Sequence, residues 1–444
     1  MATFLFVIFI MTEIIFAFRQ IRQKPVKKDW TLNRLIINAS ELGIFFFLLL
    51  MPGIDLSFRF KIFFILLVIR IAISGCIAFL SRHTDKPKKK SRMILGALEN
   101  IVLFFISLIP AFVFTDYTGR PLTGEYEVSR MQAILIDSSR VETFETDGSN
   151  REVPVHIYYP EGVSETASLP LVIFSHGAFG YYQSNTSTYM ELASNGYIVI
   201  SLDHPYHSFF TKDSLGKTIL VDRNFINDVM SVQGDTLPIS EEELYALTSV
   251  WIKIRVDDMN FVIDTLKDAA NEDFDDRWCF PAEDKEEIRS VLRLINTEKI
   301  GLMGHSLGGA GSVSVGRRAD IDAVIDLDGT MLGEEIGVEN GMPICNDDPY
   351  TTPLLCIDTQ SHHDELETLD NYVNSVILKG ATCGFEVYIP GAKHMDFTDL
   401  PLFAPFLADM LGSGDIDNEE CIDQVNAYVL KFFNCYLKDE GSWK

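Results

Sequence analysis

No two cysteines of the 444-residue chain stand in a CxxC pair, and no grouping of His, Cys, Asp and Glu has the spacing of a metal site. A redox or metal motif legible from spacing is thereby excluded. Internal repeats and low-complexity tracts are missing too, which argues against solenoids and disordered arrays. Basic residues are scarce beyond residue 116: 22 Lys and Arg stand against 56 Asp and Glu, a net charge of −34 within a whole-chain total of −26. So acidic a surface excludes nucleic acid as a partner and would be repelled by an anionic bilayer. The first apolar run does not read as a cleavable signal, because it lacks a basic start and no small-residue cleavage site follows it.

What the chain does have at its start is hydrophobic length. Residues 2–18, 35–51, 62–80 and 93–114 are apolar runs, each close to the ~20 residues that cross a bilayer as a helix. Residues 1–116 hold 15 Lys and Arg against 7 Asp and Glu, a net +8, concentrated in the loops 19–30 and 81–92. Short basic loops stay in the cytoplasm. The reading is therefore a multi-pass cell-membrane protein in two domains. Residues 1–116 form four transmembrane helices in contact with the lipid bilayer, and residues 117–444 lie outside the cytoplasm. Glu13, Glu41, Arg70 and Glu99 fall within the apolar runs. Such charges are functional candidates; an ion pair between Glu41 and Arg70 that fixes helix packing is the plainer expectation. Six of the seven cysteines lie in the outer part, an even number that permits disulfides, although Cys356 also reads as a small buried strand residue.

Beyond residue 116, short Val/Ile/Leu-rich runs alternate with helical segments, the signature of an α/β sheet. The runs are PVHIYYP, LPLVIFSHG, GYIVISLDH, KIGLMGHS, DAVIDLDGT, TPLLCIDTQ and FEVYIPGAKH. Residues 304–308, GHSLG, match G-x-S-x-G. Three fixed positions of this kind arise by accident roughly 0.1–0.2 times in a chain of this length, so context decides. An apolar strand precedes the motif and a small-residue helix follows it, the setting in which the serine sits on a strained strand-to-helix turn. Ser306 is thus the candidate nucleophile.

Catalytic groups of an open α/β sheet lie beyond the carboxyl ends of its strands. Asp328 follows the strand after the nucleophile, Asp364 the one after that, and His394 the last. Ser, acid, His is the chain order of α/β-hydrolases, with either Asp328 or Asp364 as acid. Asp326 is read as facing away from Asp328. His362 and His363 precede the last strand and read as surface-loop residues. The backbone amides of Leu307 and Ala178 are the expected oxyanion donors. His176 reads as a structural hydrogen-bonding residue and His305 as support for the turn. Phe209 and Phe210 are candidates for an acyl pocket or for lipid contact, with core packing as the alternative. The chemistry needs no metal and no organic cofactor.

The segments FSHGAFG…YMELASNGYIVISLDH, TEKIGLMGHSLGGAGS, DAVIDLDGTM and IPGAKHMDFTDLP resemble, in order and spacing, the platelet-activating factor acetylhydrolase family, the α/β-hydrolase group of the plasma and type II enzymes. The resemblance spans roughly residues 150–400. It implies an α/β-hydrolase fold behind the four transmembrane helices. It also implies an acid in an L-D-x-x-M setting, which here is Leu327-Asp328-Gly329-Thr330-Met331 and favours Asp328 over Asp364. Two features depart from the family: the membrane region has no counterpart, and residues 205–247 are divergent. The expectation is a membrane-anchored serine esterase acting on short or oxidised acyl esters, phospholipids included, through an acyl-enzyme. The alternatives are a general carboxylesterase or polyester hydrolase, or a catalytically idle membrane receptor or scaffold.

Overall fold

A computed structural model describes residues 1–233, 239–369 and 372–443. Two compact units emerge, one of Met1–Thr118 with Leu402–Leu407, the other of Gly119–Pro401 with Ala408–Lys444. The five residues 234–238 of the divergent stretch lie outside the described residues.

The first unit is built on helices α1 (Ala2–Gln23), α2 (Lys27–Leu48), α3 (Phe58–Ser81) and α4 (Lys90–Val113), each long and apolar enough to cross a membrane. Its polarity is that of a protein turned inside out. Ile15, Phe47, Ile73 and Leu103 point outward, whereas Glu13, Arg34, Asn38, Glu41 and Arg70 are buried. Phe9 meets Phe63 and Phe104 edge-on, with ring centroids 5.0 and 5.4 Å apart, the geometry aromatic quadrupoles prefer. The charges form one chain. Arg70 reaches Glu41 at 2.5 Å and Glu13 at 2.5 Å, and Arg34 reaches Glu13 at 2.6 Å. Asn38 bonds Arg70 through side chain and backbone, both at 3.1 Å. The expected pair of Glu41 and Arg70 is therefore one link of a larger network, and Glu99 stays exposed outside it.

The second unit contains β1 (Val128–Val141), β2 (Asn150–Pro160), β3 (Leu169–Ser175), β4 (Ile198–Leu202), β5 (Phe210–Lys212), β6 (Thr218–Leu220), β7 (Trp278–Cys279), β8 (Ile295–His305), β9 (Ala323–Leu327), β10 (Glu335–Glu339), β11 (Met342–Cys345), β12 (Leu354–Asp358) and β13 (Gly384–Tyr388). β5 pairs with β6 and β10 with β11; the other nine make one sheet in the order β13-β12-β9-β8-β3-β4-β2-β1-β7. From β4 to β13 every pairing is parallel, and β2, β1 and β7 add an antiparallel edge. Both faces are covered, as a mostly parallel sheet requires. Along β3, Leu171 and Ile173 enter one core with Met259, Val262 and Ile377, while Val172 and Phe174 enter the other with Tyr189, Val425 and Phe432. This is an α/β-hydrolase architecture. The helix Glu241–Asn271 that backs the first core begins at a capping box, with Ser240 and Glu243 satisfying each other's amides.

Two sequence expectations change here. All seven cysteines are free, and Cys356 is a buried strand residue. Asn185-Thr186-Ser187 has the form of a glycosylation sequon, but Asn185 is fully buried and donates its amide to Phe397 O at 2.6 Å, which leaves no room for a glycan.

The buried charge chain of the helical unit makes a direct prediction. Removing one member of a paired buried network costs about 3–5 kcal/mol, because its partners stay buried and unpaired. Arg70→Leu is expected to lower the thermal midpoint of the detergent-solubilised protein sharply, whereas Glu99→Gln changes it little. Equal midpoints for the two variants would overturn this account.

Candidate active site

Ser306 follows β8 and precedes the helix Leu307–Val315, with φ 56° and ψ −125°. A serine accepts this conformation only under constraint, at about 1–3 kcal/mol. The constraint is backbone contact. A Cβ on Gly304 would strike the backbone of Gly308, and one on Gly308 would strike the carbonyl of Ser175. Strand, helix and the turn after β3 therefore touch through their main chains, and only glycine permits it. Ser306 N donates to Leu327 O at 2.9 Å, which ties the turn to the neighbouring strand.

The turn after β3 lies against Ser306: a Cβ on Gly177 would stand 3.2 Å from Ser306 Cβ. Among the described residues, the amides of Ala178 and Leu307 donate to no protein acceptor. Phe179 next to them has φ 61°, and its amide is spent on His207 O at 3.2 Å. A buried network fixes this turn from below. Arg255 donates to His176 O, and to Gly177 O at 3.3 Å. Ser175 Oγ meets His204 Nε2 at 2.9 Å, and His204 Nδ1 meets Asp258 Oδ2 at 2.9 Å. This second Ser, His, Asp set is fully enclosed, so it holds backbone rather than substrate. Burial, then the charge of Arg255, pushes the His204 imidazole down to about 3, so it stays neutral. His176 is structural as expected, bonded to Gly177 O at 2.7 Å and Ser208 Oγ at 2.8 Å.

Asp328 stands just past β9 with φ 52°, and its carboxylate has three neighbours. Oδ2 accepts from His394 Nδ1 at 2.7 Å, and Oδ1 accepts from Thr359 N at 2.8 Å. His362 Nδ1 stands 3.1 Å from Oδ1. Burial alone would raise this carboxyl, but His362 and His394 outweigh it and hold Asp328 well below the usual range. Asp364, the alternative acid, is exposed and accepts from Gln360 Nε2 at 2.8 Å. Ser306 Oγ itself makes no hydrogen bond among the described residues; in unliganded enzymes this contact often tightens only with substrate.

His394 sits on a pinned loop. Asn185 holds Phe397 O, Ser187 N donates to Asp399 Oδ2 at 2.8 Å, and Asp396 accepts from Lys393 N and Gly414 N at 2.8 and 2.6 Å. His305 donates from Nε2 to His394 O at 3.0 Å, with ring centroids 4.6 Å apart. Burial, then the neighbouring His394, pushes His305 down to about 3; it is a neutral prop, as its place in the motif suggested.

Other expectations are revised. His362 is no surface-loop residue: Thr359 caps the helix Gln360–Thr368, and its first turn brings His362 back to Asp328. His363 instead meets Glu386 at 2.6 Å and stacks on Tyr388. Asp326 does not face away. Residues two apart share a sheet face, and Asp326 lies beneath the turn, where a Cβ on Gly309 or Gly329 would strike its Oδ1. Burial, then the charge of Asp328, pushes Asp326 well up. Phe209 and Phe210 are on the surface, and Phe210 packs on Tyr181 and lines a cavity of about 510 Å³ beside β1 and β2. The apolar surface beside Leu307 comes instead from Phe225, Val229, Trp251 and Ile252, with Ala178 and Phe179 packed on it. The i, i+4 pair Phe225 and Val229 in RNFINDVMSVQ was the available signal.

Asp328, Asp358 and His362 place ligand-type atoms within 4.8 Å of one another. The ion pair between His362 and Asp328 accounts for that grouping. A serine on a strained turn, two unspent amides beside it and a carboxylate-held imidazole are the parts that acyl transfer uses.

Comparison with known proteins gives the family and the fold. Residues 131–443 match the family described as platelet-activating factor acetylhydrolase, isoform II. A protein of Arthroderma benhamiae, described as probable 1-alkyl-2-acetylglycerophosphocholine esterase, is 24% identical over 302 residues, 64% of this chain and 65% of its own. The platelet-activating factor acetylhydrolase of Gallus gallus is 24% identical over 300 residues, 62% of this chain and 64% of its own. The chain thus spans just under two thirds of the length of these relatives. Among solved structures, a ferulic acid esterase from Streptomyces cinnamoneus shares the fold, with a TM-score of 0.50 and 19% identity over 72% of this chain and 93% of that one.

The glycine contacts can be tested without reference to any substrate. Gly308→Ala is expected to cost about 1–3 kcal/mol or more of stability through overpacking and to slow labelling by a fluorophosphonate probe at least tenfold. Gly380→Ala is the control, because a Cβ there meets nothing within 4 Å. Wild-type labelling and melting of Gly308→Ala would show that the two turns do not touch as described.

Proposed function

Because the chain belongs to the platelet-activating factor acetylhydrolase isoform II family, we propose that it is a membrane-anchored serine ester hydrolase. The observation that carries the reading is the 2.7 Å contact of Asp328 with His394 Nδ1 beside the strained turn of Ser306. Ser306 Oγ attacks the ester carbonyl carbon, and His394 Nε2 takes the hydroxyl proton. Asp328 keeps the imidazole in the matching tautomer and balances its charge. The carbonyl oxygen becomes negative and accepts from the amides of Leu307 and Ala178, a term typically worth about 10²–10³ in rate per donor. The bond to the alcohol oxygen breaks as His394 returns the proton to it. Water then repeats the sequence and frees the acid, so no metal or cofactor takes part.

The substrates are short or oxidised acyl esters, phospholipids among them. The names of the two relatives support a short acyl ester of a phospholipid, and the acyl group would lie on the apolar surface of Phe225, Val229 and Trp251 beside Leu307. In this reading the four apolar helices anchor the enzyme, and the basic loops 19–30 and 81–92 support a hydrolase that lies outside the cytoplasm.

Ser306→Ala is expected to abolish both fluorophosphonate labelling and hydrolysis while leaving the melting temperature close to that of the parent. Asp328→Asn is expected to lower turnover by about 10⁴, and Asp364→Asn to change it little; the reverse order would move the acid to Asp364. A substrate panel of increasing acyl length separates a short-chain phospholipid esterase from a general carboxylesterase.

Sidedness has its own test. Protease added to intact cells or spheroplasts is expected to digest the chain beyond residue 116. Cysteines placed in the two basic loops are expected to resist an impermeant thiol reagent. A hydrolase digested only after lysis would put the active site in the cytoplasm.

A further inference from the structure

Asp328 has one carboxylate and two imidazoles. Oδ2 faces His394 Nδ1 at 2.7 Å, and Oδ1 faces His362 Nδ1 at 3.1 Å. A triad of the kind proposed above needs only the first contact. The second comes from a different element, the helix Gln360–Thr368, whose cap residue Thr359 also donates its amide to Oδ1 at 2.8 Å.

We propose that His362 is a positioning residue for the hydrolysis: it holds the Asp328 carboxylate from the side away from His394, cancels part of its charge, and so sets how readily His394 takes up a proton. The inference rests on the reading of Ser306, His394 and Asp328 as the triad.

The groups around His362 support the charge this role needs. Past the end of β9 it faces Asp328. From β12 it faces Asp358; from its own helix, Glu365; and Tyr372 approaches with ring centroids 6.3 Å apart. Among the described residues, neither Arg nor Lys belongs to this set. Burial lowers His362, but Asp328 first, then Asp358 and Glu365, outweigh it and raise the imidazole above its ordinary value. Asp358 and Asp326 are themselves pushed well up, by burial first and then by neighbouring carboxylates. A protonated His362 weakens the pull of Asp328 on a proton at His394, so His394 stays an unprotonated base to lower pH. Without that cation the full charge of Asp328 acts on His394, and the acidic limb of the rate profile must move to higher pH.

The experiment measures kcat/KM for p-nitrophenyl acetate between pH 5 and pH 9 with the full-length protein in detergent. Wild type, His362→Asn and His362→Phe are compared. Asn keeps a donor near the Nδ1 position but carries no charge, and Phe keeps only ring volume. The expected result is an acidic limb shifted upward by about one unit in both variants, the scale of a lost neighbouring charge. A limb at the wild-type pH in both variants would overturn the proposal. A shift in His362→Phe alone would also overturn it, since a neutral donor would then suffice and His362 would be a simple hydrogen-bonding prop. Ser306→Ala is run alongside: hydrolysis retained there would sink the triad reading itself, a failure distinct from an unmoved limb.

Discussion

Two stretches of main chain meet beneath Ser306 with no room for a side chain between them, and the other parts of the site follow from that contact. Ser175 is level with Gly304, and Gly304 with Asp326, and Asp326 with Cys356, across four neighbouring parallel strands. Two residues further on, each strand delivers a residue to the same height: Gly177, Ser306, Asp328 and Asp358. The register of one sheet thus sets the spacing of oxyanion turn, nucleophile and acid before any side chain interacts. What remains is to make each chain turn away sharply at that row. Positive φ at Phe179, Ser306 and Asp328 does so, at a strain that only tight packing can hold.

The electrostatics of the row are selective. Three aspartates stand at the ends of β9 and β12, yet only Asp328 has donors for its oxygens; both oxygens of Asp326 and of Asp358 lack a partner among the described residues. Buried carboxyls without donors give up their charge. Burial pushes the carboxyls of Asp326 and Asp358 well up, whereas the neighbouring imidazoles hold that of Asp328 well below the usual range.

Much of this was legible in the sequence because the informative patterns are local. GHSLG after an apolar run, a carboxylate after the next strand and a histidine after the last one are read from short windows. The features missed depend on contacts between distant segments. His362 lies 34 positions along from Asp328 in the chain, and only the cap at Thr359 aims it back. Asp326 was assigned to the wrong side by misjudging the two-residue period of a strand. Phe209 and Phe210 drew notice as an aromatic pair, but an exposed pair is visible only in three dimensions, and the apolar wall came from Phe225 and Trp251 on two other helices. β1 was not anticipated: its inward residues include Asp137 beside Ala133 and Leu135, which blurs the alternation.

The charge chain of the helical unit bears on how that unit comes to exist. Glu13 belongs to α1, Arg34 and Glu41 to α2, and Arg70 to α3. A helix entering a bilayer alone would carry each such group unpaired, at about 2.5–3.5 kcal/mol near its centre. α1 finds its first partner only when α2 arrives, and Glu41 waits for α3. The network thus closes only when α1, α2 and α3 are all present, and without α1 Arg34 would lose its acidic partner and Arg70 one of its two.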